Sequence, residues 1–102
     1  MNPPIVLITG GSRGIGAATA LLAAQRGFAV AINYARQAEA ANSLVQRIEA
    51  EGGRAIAVQA DVADEAQVLN MFAEVDAKLG RLSALVNNAG IVDMKARLDE
   101  MS

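Results

Sequence analysis

The chain has 102 residues, 53% of them hydrophobic, 20% charged and only 3% aromatic, which bounds it to one domain with a modest core of small aliphatic side chains. It has no Cys, no His and a formal net charge of −2. Disulfides, thiolate metal sites and a Ser-His-Asp hydrolase are therefore excluded within these residues, and no basic run offers a surface to nucleic acid.

No apolar run reaches membrane-spanning length, and the segment before the first glycine is too short and too uncharged for a signal peptide, so the expected location is the cytoplasm. Ile5-Val6-Leu7-Ile8-Thr9 is a continuous β-branched and aliphatic run, the pattern of a strand covered on both faces in a parallel sheet. Ala17 to Arg26 are strong helix formers that stop before Gly27, a C-cap residue. Phe28 to Ile32 reads as a second buried strand. Ala41, Leu44, Val45 and Ile48 fall on one helical face, and Gly52-Gly53 closes that helix. Ala55 to Ala60 reads as a third strand. Asp64, with Gln67 three residues on, predicts an N-cap with its reciprocal partner. Val68, Phe72, Val75 and Leu79 make the buried stripe of the next helix, ended by Gly80. Leu82 to Val86 reads as a fourth short strand running into Asn87-Asn88-Ala89-Gly90. Strand and helix alternate throughout, which predicts an α/β doubly wound parallel sheet of Rossmann type, three layers deep, with strand order 3-2-1-4.

Thr9-Gly10-Gly11-Ser12-Arg13-Gly14-Ile15-Gly16 lies between the first strand and the first helix. Glycines there permit a sharp turn and let bare backbone approach a pyrophosphate. The N-terminus of the following helix supplies unpaired N–H groups and about half a positive charge. The pattern is Gly-x-x-x-Gly-x-Gly after Thr, which differs from Gly-x-Gly-x-x-Gly. In this turn, in Asn87-Asn88-Ala89-Gly90 and in Asp61-Val62 after the third strand, the chain resembles the short-chain dehydrogenase/reductase family. Reductases of 3-oxoacyl carriers and bacterial sugar or alcohol dehydrogenases of that family look similar over this stretch.

The resemblance implies a nicotinamide dinucleotide held by Gly10, Ser12, Arg13, Gly14, Ile15 and Gly16 of the turn. It places Asn33, Tyr34, Ala35 and Arg36 at the adenosine ribose, Asp61 and Val62 at the adenine, and Asn88, Ala89 and Gly90 along the cofactor. It gives Asn87 a structural role, joining neighbouring strand ends. No acid occurs before Glu39, whereas a carboxylate past the second strand would hold the ribose hydroxyls of NAD and repel a 2′-phosphate. Arg13 and Arg36 suit that phosphate, so NADP(H) is expected over NAD(H). Asp61 has a second reading, as a cap at the start of the third helix.

Tyr34 is the only tyrosine, and Ala38 stands four residues later, so the family's Tyr-x-x-x-Lys is not here. By resemblance the catalytic Asn, Ser, Tyr and Lys all lie past Ser102, and the chain is the N-terminal, cofactor-binding part of a longer enzyme. That enzyme would move hydride between nicotinamide and a carbonyl or alcohol substrate, as a homotetramer or dimer assembled through other regions. NAD(H) use, and a dinucleotide-binding sensor without catalysis, remain the alternatives.

Overall fold

A computed structural model describes residues 3–12 and 14–88. Ile5–Thr9 forms strand β1, and all five residues are buried. Gly14–Gln25 forms helix α1, Ala29–Tyr34 strand β2, Ala38–Ala50 helix α2, Ala55–Gln59 strand β3, Glu65–Lys78 helix α3 and Ala84–Asn87 strand β4. The strands lie in the order β3-β2-β1-β4, and every neighbouring pair is parallel. The predicted topology and strand order are therefore those of the protein.

The pleat divides the core by residue parity. Val6, Ile8, Val30 and Ile32 point to one face, where they meet Ala20 of α1 and Ala41, Leu44 and Ile48 of α2. Ile5, Leu7, Ala29, Ala31 and Val58 point to the other, where they meet Val68, Met71 and Val75 of α3. Two helices on one face and one on the other make the three layers. Only Gly16 and Ala20 of α1 are buried, so small residues let this helix lie close to the sheet. Ile48 is 2% exposed, and burying a side chain of that size stabilises by roughly 1.5–3 kcal/mol.

Several element ends differ from the sequence reading. Helix α1 begins at Gly14 rather than Ala17. β2 begins at Ala29, because the Phe28 N–H donates to Ala23 O in the turn closing α1. It runs on to Tyr34 because β3 supplies partners, Asn33 opposite Val58 and Tyr34 opposite Gln59. β4 begins at Ala84; before it, Ser83 binds the start of β1, its N–H donating to Ile5 O and its Oγ accepting from Ile5 N. Met71, absent from the predicted stripe, is 1% exposed, whereas Phe72 and Leu79 are half-buried.

The cap of α3 also closes differently. Asp64 Oδ1 accepts from Gln67 N, as expected. The Asp64 N–H is already spent on Asp61 O, so Gln67 Oε1 reaches past it and accepts from Asp61 N at 2.8 Å.

Candidate functional site

All strands are parallel, so their C-terminal ends share one edge, and the described residues among the predicted site residues lie there. The chain leaves β1 for α1 and β2 on one side and returns to pair β4 on the other, which puts a topological switch at the end of β1. Gly10 follows β1 with φ 61° and Gly14 opens α1 with φ 64°, conformations in which a Cβ clashes with its own backbone. Gly16 serves a different need. A Cβ there would sit 2.5 Å from Gly10 O, 2.8 Å from Gly11 Cα and 2.8 Å from Asn88 Nδ2. The first turn of α1 therefore lies directly against the loop that precedes it.

The first amides of a helix have no acceptor within it. Acidic residues open α2 and α3, with Glu39 in the first turn of one and Glu65 in that of the other, but the first turn of α1 has none. An anion at α1 thus meets the helix dipole without an opposing carboxylate. Ile15 is 78% exposed at this point, an apolar side chain standing beside the turn.

Hydrogen bonds fix the turn from beneath and from the side. Asn33 Oδ1 accepts from Gly10 N at 3.2 Å, and Asn33 O accepts from Gly11 N at 3.1 Å. Asn33 Nδ2 donates to Val58 O at 3.3 Å and Ala60 O at 3.1 Å. On the other flank Asn88 Nδ2 donates to Gly10 O at 3.1 Å. Thr9 Oγ1 donates to Asn87 Oδ1 at 3.0 Å, so Asn87 ties the ends of β1 and β4 as the resemblance implied. Thr9 is fully buried.

Gly10, Ser12, Gly14, Ile15, Gly16 and Asn88 come together around the turn. Tyr34 ends β2, and Ala35 and Arg36 follow it on the same edge, Tyr34 half-buried and the other two exposed. Ala35 O is occupied by Gln59 Nε2 at 3.2 Å. Asp61 is exposed at the end of β3, and its Oδ1 accepts from Ala63 N, so one oxygen shapes the local turn. Val62 is 9% exposed and joins the core under α3. Arg13, Ala89 and Gly90 lie outside the described residues.

Asn33 lies beneath the turn. It is 2% exposed, and its side-chain groups are engaged inside the protein, so its side chain holds the turn from below. Gly11, not singled out by sequence, is buried there too; a Cβ on it would meet Ile8 Cγ2 at 3.1 Å and Ile32 Cγ2 at 3.3 Å. Polar residues at a strand end read as surface, and only the convergence of β1, β2 and β3 buries this one.

A separate open depression of about 340 Å³ lies at the opposite edge, lined by Ala24, Phe28, Ile48, Glu51, Gly53 and Arg54 among others. Ligands of open parallel sheets sit outside the carboxyl ends of the strands, so this depression is at the wrong end for the site. No group of three or more metal-ligating side chains occurs among the described residues, and no helix among them is long and apolar enough to cross a membrane.

The short chain dehydrogenase family profile matches residues 4–102. The chain is 48% identical over 98 residues to the uncharacterized oxidoreductase YgfF of Escherichia coli, covering 96% of this chain and 40% of that protein. It is 49% identical over 85 residues to the 3-oxoacyl-(acyl-carrier-protein) reductase FabG of Staphylococcus aureus, covering 83% of this chain and 35% of the reductase. Among solved structures, a short chain dehydrogenase from Burkholderia cenocepacia in complex with NADP superposes with a TM-score of 0.83 at 52% identity, over 88% of this chain and 37% of that one. A blue fluorescent protein from a metagenomic library, in complex with NADPH, superposes at 0.82 with 46% identity, over 88% of this chain and 37% of that one.

Proposed function

The chain belongs to the short-chain dehydrogenase/reductase family, and on that premise we propose that it is the dinucleotide-binding part of an NADP(H)-dependent oxidoreductase acting on a carbonyl or alcohol. The observation that carries the reading is the turn: Gly10 and Gly14 at positive φ, Gly16 without room for a Cβ, and an α1 first turn without an acid, all at the end of a central parallel strand. A diphosphate fits such a cradle because the backbone amides reach it directly and the helix dipole favours its charge.

In this reading Gly10, Ser12, Arg13, Gly14, Ile15 and Gly16 hold the diphosphate and Asp61 and Val62 frame the adenine. Asn88, Ala89 and Gly90 run along the nicotinamide half. The bound nicotinamide supplies or accepts the hydride; these residues bind it, orient it and keep side chains out of its path. The proton-transferring groups belong to the part of the protein that follows. The chain spans 40% of its E. coli relative, which supports treating it as one portion of a larger catalytic unit.

The preference for NADP(H) rests on charge. No Asp or Glu precedes Glu39, so no carboxylate between the turn and α2 repels a 2′-phosphate. Exposed Arg36 stands past β2, and Arg13 follows Ser12 in the turn. The NADP and NADPH complexes of the two structural relatives favour the same choice.

A fluorescence titration of the intact protein tests it. A charge-assisted hydrogen bond contributes about 1.5–3 kcal/mol, so NADPH is expected to bind about ten- to a hundredfold more tightly than NADH. Arg36→Ala should lose most of that margin and leave NADH affinity unchanged. Tighter binding of NADH by the unaltered protein would overturn the preference.

A further inference from the structure

Gly10 sits between two carboxamides. Asn33 Oδ1 takes its N–H from below and Asn88 Nδ2 donates to its carbonyl from the side, at 3.2 and 3.1 Å. Asn88 comes from the end of β4, whereas Asn33 comes from β2 and also binds β3 through Val58 O and Ala60 O. Ala60 is followed at once by Asp61 and Val62. One buried side chain thus spans from the glycine turn to the segment proposed to frame the adenine.

We propose that Asn33 is a positioning residue that locks the diphosphate half and the adenine half of the nucleotide site into one geometry. The inference rests on the dinucleotide reading of that site. Its orientation admits no alternative: Gly10 N offers a hydrogen and needs an oxygen, whereas two carbonyls need the N–H₂ group. A carboxamide of this length is the side chain that offers one acceptor and two donors in that arrangement. Asp has the shape but places an oxygen against the carbonyls of Val58 and Ala60. Leu has the shape but leaves Gly10 N and both carbonyls without these partners. The backbone of Asn33 adds a further tie, its carbonyl accepting from Gly11 N at 3.1 Å. That bond survives substitution, so the turn should loosen without the sheet coming apart.

The test compares the intact protein with Asn33→Asp and Asn33→Ser, and with Asn88→Ala as the variant that releases Gly10 from the other flank. Amide exchange is followed at Gly10 and Gly11 without ligand. NADPH and adenosine are then titrated well below the melting temperature of each variant. Gly10 should exchange faster in Asn33→Ser, which loses its acceptor, and the Kd for NADPH should rise at least about tenfold in both Asn33 variants, as expected when a buried charged-ligand contact is misaimed. Adenosine, which engages one half alone, should bind within about twofold of the unaltered protein. An Asn33 variant that melts earlier but keeps its NADPH affinity and its Gly10 protection would show a purely structural residue and overturn the proposal. If Asn33→Asp does not fold, Asn33→Ser carries the same comparison, because its shorter hydroxyl cannot reach both Gly10 and the β3 carbonyls. Failure of the unaltered protein to bind NADPH or NADH would overturn the dinucleotide reading itself, whereas the exchange of Gly10 and Gly11 would still report on the tie.

Discussion

Gly16 and Gly52 lack side chains for separable reasons, and substitution should distinguish them. At Gly16 a Cβ would press on Gly10 O and Gly11 Cα, at 2.5 and 2.8 Å, both backbone atoms with no freedom to retreat. Gly16→Ala should therefore destabilise by about 1–3 kcal/mol and weaken NADPH binding at least about tenfold by pushing the turn out of shape. At Gly52 a Cβ meets nothing within 4 Å, but φ is 90°. Gly52→Ala should cost about 1–2 kcal/mol of backbone strain and leave the NADPH Kd untouched, since it lies at the far edge of the sheet. Chemical denaturation and fluorescence titration of both variants check the contrast. Equal losses of affinity would mean that the turn has no special part in binding. At this scale the glycines were legible in the sequence, because only backbone needs explain four of them in the seven residues from Gly10 to Gly16. Asn33 was legible as a residue near the site but not as its support. A strand-end carboxamide looks the same whether it faces solvent or lies under three strands.

Elements were legible to the extent that their periodicity reflects the faces they bury. β1 runs from Ile5 to Thr9 as its unbroken apolar run predicts, since a central strand is covered on both sides. The stripe of α3 was read one position off. Val68 and Val75 are seven apart, and either Met71 or Phe72 completes the pattern between them. Met71 takes the buried place and Phe72 the edge, a choice set by where β1 and β3 lie beneath the helix. Met71→Ala should accordingly cost about 2–5 kcal/mol. Asp64→Ala, which loses the bond to Gln67 N, should cost about 1 kcal/mol. Urea unfolding ranks the two, and a larger loss at Asp64 than at Met71 would contradict the packing described. The ends of β2 and β4 were less legible because a strand ends where its partner ends. The length of β3 sets one, and Ser83 binding Ile5 sets the other.

At the scale of the chain as a whole, a net charge of −2 means that the field of these residues does not draw in an anion. Recognition of a dinucleotide has to come from the local amides of the turn and from individual arginines. Between about 0.1 and about 1 M salt the screening length falls from about 10 to about 3 Å. NADPH binding should weaken more across that range than NADH binding, because on the proposed function the 2′-phosphate is met by arginines, exposed Arg36 among them. Parallel titrations check this, and identical salt slopes would mean that the arginines take no part in holding the 2′-phosphate. On the proposed function, the carboxyl edge of the sheet, and not the depression of about 340 Å³ at the opposite edge, receives the diphosphate. Amide chemical-shift mapping during an NADPH titration tests it most directly. The largest changes should fall on residues 10–16, with smaller ones at 33–36, 61 and 62. Changes centred on Gly27, Phe28, Gly53 and Arg54, with the turn unmoved, would contradict it.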